Sequence, residues 1–148
     1  MITYSSDVTI ARPPEQVWPY VIEPEKQAQW TDVAMRPITD GPWRVGTRIE
    51  VAFGRRPLRA SIGLELTAVE TGRRMAFTTY TTGPVLWDGE YRLERTETGG
   101  TRLSQAGRLR FRGFWRLLEP MIGAEMRRNE IAELERLKKV LEGGSPAL

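Results

Sequence analysis

Three candidate strands in the second half of the chain place polar side chains on faces that otherwise carry large apolar residues. Met75, Phe77, Thr79 and Thr81 alternate along the first. Trp87, Gly89, Tyr91 and Leu93 alternate along the next, and Leu103, Gln105, Gly107, Leu109 and Phe111 along a third. Residues i and i+2 of a strand share a face, and the face with the larger apolar groups is assigned to the interior. Thr79, Thr81, Tyr91 and Gln105 then point inward, where a polar group needs a partner. One choice is a bound ligand, with Gly89 and Gly107 leaving it room. The other is that these groups bond one another or trapped water.

A second cluster lies near the C-terminus. "EMRRNE" interrupts an apolar helical stripe, so Glu125, Arg128 or Asn129 faces the same interior. A buried Arg can hold a carboxylate or phenolate in bidentate fashion. The alternative is a solvated helix face, with Glu125 and Arg128 paired at helical spacing. In "GRLRFRGFWRLL", Arg108, Arg110 and Arg112 alternate with Leu109 and Phe111, and Phe114, Trp115 and Arg116 follow. This is either a cationic-aromatic rim for a membrane surface, an anionic ligand or a single-stranded nucleic acid, or a solvent-facing strand side paired with Glu90 and Glu94.

What the chain lacks narrows the chemistry. Its 148 residues include no histidine and no cysteine. A Ser-His-Asp triad, a Cys-His pair and the usual zinc sites are therefore excluded. Acid–base work would fall to Asp, Glu, Tyr, Lys or Arg, and no cofactor or metal is expected. The net charge is +3, from 22 basic residues (nineteen of them Arg) and 19 acidic ones. That excess is too small to argue for nucleic acid. No apolar run approaches membrane-spanning length. The start, "MITYSSDVTIARPP", has no basic-then-apolar pattern, so the expected location is cytoplasmic.

The elements that must position these residues follow from periodicity. Residues 2–11 read as a strand. "RPPEQVWPYVIEPEKQAQW" then holds four prolines and two tryptophans in nineteen residues. A helix starting at Pro13-Pro14 is expected to run to about Ile22, short or kinked at Pro19. Glu23-Pro24 starts a second short helix that ends near Trp30. Period-two strands are expected at 33–39, 47–53, 59–70, 73–82, 86–96 and 101–111, separated by turn signals such as "ETG" and "TGP". From about Phe114 to Glu142 the spacing is helical. Leu117, Met121, Ala124, Ile131, Leu134, Lys138 and Leu141 mark the stripe, with the Lys138 stem lying along it. Residues 143–148 read as a frayed tail behind a single domain of 1–142.

The expected architecture is therefore α+β: seven antiparallel strands, two short helices after the first strand, and one long C-terminal helix. A helix of about 25 residues is roughly 38 Å long and 10 Å wide, too narrow to cover the face of seven strands. The short helices close the remaining space or leave it as a cavity. The expected lining is Phe77, Thr79, Thr81, Trp87, Tyr91, Gln105 and Leu109 from the sheet, with Met121, Glu125 and Arg128 from the helix.

This order and its local motifs resemble the START-like helix-grip superfamily, in particular its polyketide cyclase/dehydrase and lipid-transport branch. The carrying segments are "RPPEQVWPYV", "EPEKQAQW", "VGTRIEV", "LTAVETGRRMAF", "WDGEYRLERTETGGTRLS" and "RNEIAELERLKKVLE". The resemblance spans residues 4–142. It implies a seven-stranded sheet wrapped around the C-terminal helix, and the loops at 54–59 and 81–85 bordering a cavity mouth. Fold alone does not select a function. Three readings follow: a carrier of a lipid, isoprenoid, quinone or polyketide; a polyketide cyclase or dehydratase working in the same cavity; or an interaction module using the basic surface. The expected partner is a hydrophobic small molecule, with transient membrane contact and no nucleic acid. The sequence leaves the oligomeric state open.

Overall fold

In the computed structural model the described residues are 1–31, 34–55 and 58–143, with residues 53–60 described as backbone only where they fall within that range. The elements are β1 (Ile2–Ile10), α1 (Pro14–Ile22), α2 (Pro24–Gln27), β2 (Ala34–Pro37), β3 (Arg48–Arg55), β4 (Leu58–Glu70), β5 (Arg74–Thr79), β6 (Val85–Arg95), β7 (Thr101–Phe111), a 3-10 helix (Gly113–Leu118) and α3 (Glu119–Glu142). The strands form one sheet in the order β1-β7-β6-β5-β4-β3-β2, each neighbouring pair antiparallel. This is the expected α+β helix-grip architecture. Val33, the tail beyond Gly143 and the tip of the 54–59 loop lie outside the described residues.

α1 starts where the sequence indicates. Pro13 is extended (φ −69°, ψ 158°) and Pro14 takes the first helical turn, where a missing N–H costs nothing. α1 ends at Ile22, as expected, without a break at Pro19. It stops there because Glu23 turns extended (φ −99°, ψ 119°) ahead of Pro24. A residue before proline disfavours the α region. Pro19 denies a bond only to the carbonyl of Glu15, an exposed residue. Val17 and Val21 are fully buried beneath the short pair, as is Trp30, whose indole N–H donates to the Tyr20 carbonyl at 2.9 Å. Trp30 also meets the Tyr91 ring edge-on at 5.8 Å. The proline-rich segment thus closes one end of the grip.

α3 spans 24 residues, about 36 Å. Its inward stripe is only partly the expected one: Leu134 is buried and Leu141 packs at the core edge. Leu117, Met121 and Ile131 are 77%, 61% and 58% exposed, and Ala124 also faces out. The helix buries Gly123, Glu130, Glu133, Leu134 and Leu137, with Ile122, Met126 and Leu141 at the core edge. Positions 123, 126, 130, 133 and 137 repeat at alternating intervals of three and four, as a core-facing helix requires. Two glutamates occupy that repeat, so following apolar residues alone gives only part of the face. Lys138 is half-buried and donates from Nζ to the Thr9 carbonyl of β1 at 2.9 Å. A side chain on Gly123 would press on Ile2, so this glycine sets how closely α3 approaches β1.

Candidate functional site

One row of residues crosses four strands in register: Tyr4, Gly107, Gly89 and Phe77. The two rings lie over the two glycines. A Cβ on Gly107 would meet the Tyr4 hydroxyl and the Asp88 carbonyl, and one on Gly89 would meet the Phe77 ring. The glycines therefore make room for protein side chains rather than for a ligand, which corrects the sequence expectation. The rings converge on Trp87. Phe77 meets it edge-on at 4.9 Å, and its indole N–H donates to the Tyr4 hydroxyl at 2.9 Å.

Beside this row the concave face of the sheet and α3 leave a cleft of about 850 Å³. Its walls are largely apolar or aromatic, with Leu64, Leu66, Met75, Phe77, Trp87 and Leu109 on the sheet side. Trp43, Trp115, Ile122 and Met126 add to them. Polar groups come mainly from α3 (Glu125, Asn129, Glu130 and Glu133), with Tyr91 across from them and Gln27 and Thr31 from the segment after α1.

Six of the ten residues singled out from sequence line this cleft: Phe77, Trp87, Tyr91, Leu109, Met121 and Glu125. Met121 and Glu125 are exposed and sit at its solvent edge. The other four lie elsewhere. The Thr79 hydroxyl accepts from the Trp87 N–H at 2.7 Å and bonds the Trp87 carbonyl at 3.0 Å, extending the β5–β6 pairing. The Thr81 hydroxyl accepts from the Gly63 N–H at 3.0 Å. Gln105 is buried and donates to the Glu130 carbonyl at 3.1 Å. Arg128 faces solvent. For both threonines and the glutamine, partners within the fold account for the inward polarity.

The strand-side arginines find different partners from those expected. Arg108 pairs with Asp88, its cross-strand neighbour, at 3.4 Å. Glu90 is held by Arg74 at 2.8 Å and by Arg92 at 3.0 Å. Arg110 lies opposite Leu86 and has no ion-pair partner among the described residues. Phe114 and Leu117 are 63% and 77% exposed on the 3-10 helix, beside the exposed Arg112 and Arg116.

Sequence reasoning missed Glu130 and Glu133, which are 7% and 6% exposed. The signal was available as the three-four repeat described above. Burial, and then the neighbouring Glu133, push the Glu130 carboxyl up to about 8. It is mostly protonated at neutral pH. Burial raises the Tyr91 phenol well above its ordinary value, with Glu130, Glu133 and Tyr4 adding to the effect. Tyr4 is raised by burial first and then by Glu130. Weakly acidic groups in an apolar cleft can hydrogen-bond a ligand or move a proton. Among the described residues no group of acidic side chains is arranged to hold a metal ion.

A seven-stranded antiparallel sheet gripping a long C-terminal helix defines the helix-grip fold. The chain belongs to the polyketide cyclase/dehydrase and lipid transport family, whose sequence pattern it matches over residues 1–142. Among solved structures it is similar to TTHA0849 from Thermus thermophilus, with a TM-score of 0.77 at 17% identity, covering 97% of this chain and 99% of that one. It is also similar to DR_A0006 from Deinococcus radiodurans, with a TM-score of 0.72 at 20% identity, covering 96% of this chain and 98% of that one. A third similarity is to DynU16, a protein in the dynemicin biosynthetic locus, with a TM-score of 0.70 at 22% identity over 99% of this chain. The chain spans about half (49%) of DynU16. At these identities the likeness concerns the fold. Comparison with curated proteins finds no match.

Proposed function

We propose that this chain binds or carries a hydrophobic or amphipathic small molecule, such as a lipid, isoprenoid, quinone or polyketide, between the sheet and α3. The observation that carries this reading is the cleft of about 850 Å³ with mainly apolar and aromatic walls. Pockets for small molecules span roughly 300–1,000 Å³ and combine such walls with a few polar groups. Phe77, Trp87, Tyr91 and Leu109 would touch the ligand body, and Met121 and Glu125 its exposed end. Native mass spectrometry of protein from its own source tests the reading. One organic adduct per chain is the expected result. Adduct-free protein that also takes up nothing from a hydrophobic panel would overturn it.

One observation favours a second reading, a cyclase or dehydratase in the same cleft. Glu130, near 8 and beside Tyr91, has the properties of a general acid or base. Turnover of a poly-keto substrate that is lost in Glu130→Gln would support it, and binding without turnover leaves the carrier. The basic-surface reading has less support, because Arg36, Arg48, Arg74, Arg92, Arg102 and Arg108 are paired with carboxylates. Transient membrane contact through Phe114 and Leu117, flanked by Arg112 and Arg116, fits a carrier that loads from an anionic bilayer. Co-sedimentation with anionic vesicles that persists in Phe114→Ser/Leu117→Ser would argue against that contact.

A further inference from the structure

Every charged side chain that lines the cleft among the described residues is acidic. Glu125 lies at the solvent edge and Glu130 and Glu133 are buried, with no Arg or Lys among the described lining residues, in a chain of 22 basic residues. Two arginines of α3 donate to backbone carbonyls of other elements. Arg127 donates to the Thr3 carbonyl at 3.3 Å and Arg136 to the Trp30 carbonyl at 2.9 Å. Glu130 is only 7% exposed, and its carboxyl makes no hydrogen bond to any described residue. Its backbone carbonyl, by contrast, is held by Gln105. Glu130 lines the cleft, so its carboxyl is within reach of a ligand held there.

The groups that face Glu130 from each packed element are Tyr4 on β1, Tyr91 on β6, Gln105 on β7 and Glu133 on α3 itself. None of these groups is cationic. Among the described lining residues a ligand carboxylate would meet acidic side chains and no Arg or Lys. A ligand cation would meet a carboxylate, with Tyr91 and Trp87 in the same walls, and aromatic faces attract cations. We propose that the cleft selects hydrophobic ligands carrying a cationic nitrogen, a protonated amine or a quaternary ammonium, with the Glu130 carboxylate as counter-ion. This rests on the ligand-cleft reading above and names the ligand class.

Protonated Glu130 must ionise to pair with a cation, so binding should release a proton to solvent below pH 8. The probes are three ten-carbon compounds of different charge: decyltrimethylammonium, decanol and decanoate, each titrated below micelle formation. The protein's net positive charge favours decanoate in any non-specific binding, so a preference for the cation cannot come from the surface field. At pH 8 the cation should bind about tenfold or more tightly than decanol, and decanoate more weakly than both. Affinity for the cation should rise from pH 6 to pH 8, with proton release read by calorimetry in two buffers of different ionisation enthalpy. In Glu130→Gln the cation should fall to the affinity that variant has for decanol. Equal binding of the three compounds, a preference for decanoate, absent proton release, or a cation preference that survives Glu130→Gln would each overturn the proposal. Binding of decanol without cation preference defeats this inference alone. Binding of none of the three also defeats the ligand-cleft reading.

Discussion

The side-chain amide of Gln105 on β7 donates to the backbone carbonyl of Glu130 on α3 at 3.1 Å, with both residues buried. This bond fastens the sheet to the helix at the turn that carries Glu130, one of the cleft's two buried carboxyls. A net contribution of about 1 kcal/mol is ordinary for such a bond, and an orphaned buried partner costs more. Gln105→Leu should lower stability by about 1–2 kcal/mol in urea. The amide is committed to the helix, so ligand affinity should change little at temperatures where the variant is folded. A large loss of affinity at unchanged stability would return Gln105 to the ligand-binding set.

Stability should fall as pH rises through the Glu130 transition. The carboxyl moves from an ordinary 4.5 in the unfolded chain to about 8 in the native one. Between these values the native state holds the extra proton, so its contribution is full below pH 4.5 and lost above pH 8. At roughly 1.4 kcal/mol per unit the change amounts to a few kcal/mol. Glu130→Gln, which mimics the protonated form, should have a flatter stability profile and a higher Tm than the parent at pH 9. Identical profiles for the two proteins from pH 5 to pH 9 would contradict the assignment.

Gly89 and Gly107 can be tested as seats for rings. Gly89→Ala should destabilise by about 1–3 kcal/mol, since the new methyl meets the Phe77 ring. In a Phe77→Leu background the penalty should shrink, giving a coupling measurable in a double-mutant cycle. Additive effects would mean that the glycine is not there for the ring.

Much of the fold was legible because its signals are local. Alternation marked β5, β6 and β7, and put Phe77, Trp87 and Leu109 on the correct face. Prolines marked the start of α1 and the break at Glu23-Pro24. What sequence could not supply was the competition between partners. Thr79, Thr81 and Gln105 do point toward polar needs, but backbone groups from Trp87, Gly63 and Glu130 meet them first. Whether a glycine opens space for a ligand or for Tyr4 depends on the register of four strands, which no single strand encodes. The face of α3 was partly misjudged because Glu130 and Glu133 hold core positions, where charged residues are rare unless partnered.

The central claim is that the cleft is a ligand site, and its tryptophans allow a direct measurement. Trp43, Trp87 and Trp115 line it, whereas Trp18 and Trp30 do not. Energy transfer from tryptophan to the neutral apolar probe N-phenyl-1-naphthylamine should saturate at one probe per chain and raise the Tm by mass action. Ile49→Trp, which enlarges an inward side chain on the β3 wall of the cleft, should abolish saturation while the far-ultraviolet spectrum and cooperative melting persist. Saturable one-to-one binding lost in that variant is the predicted result. Absence of saturable binding in the parent, or equal binding in Ile49→Trp, would contradict the account.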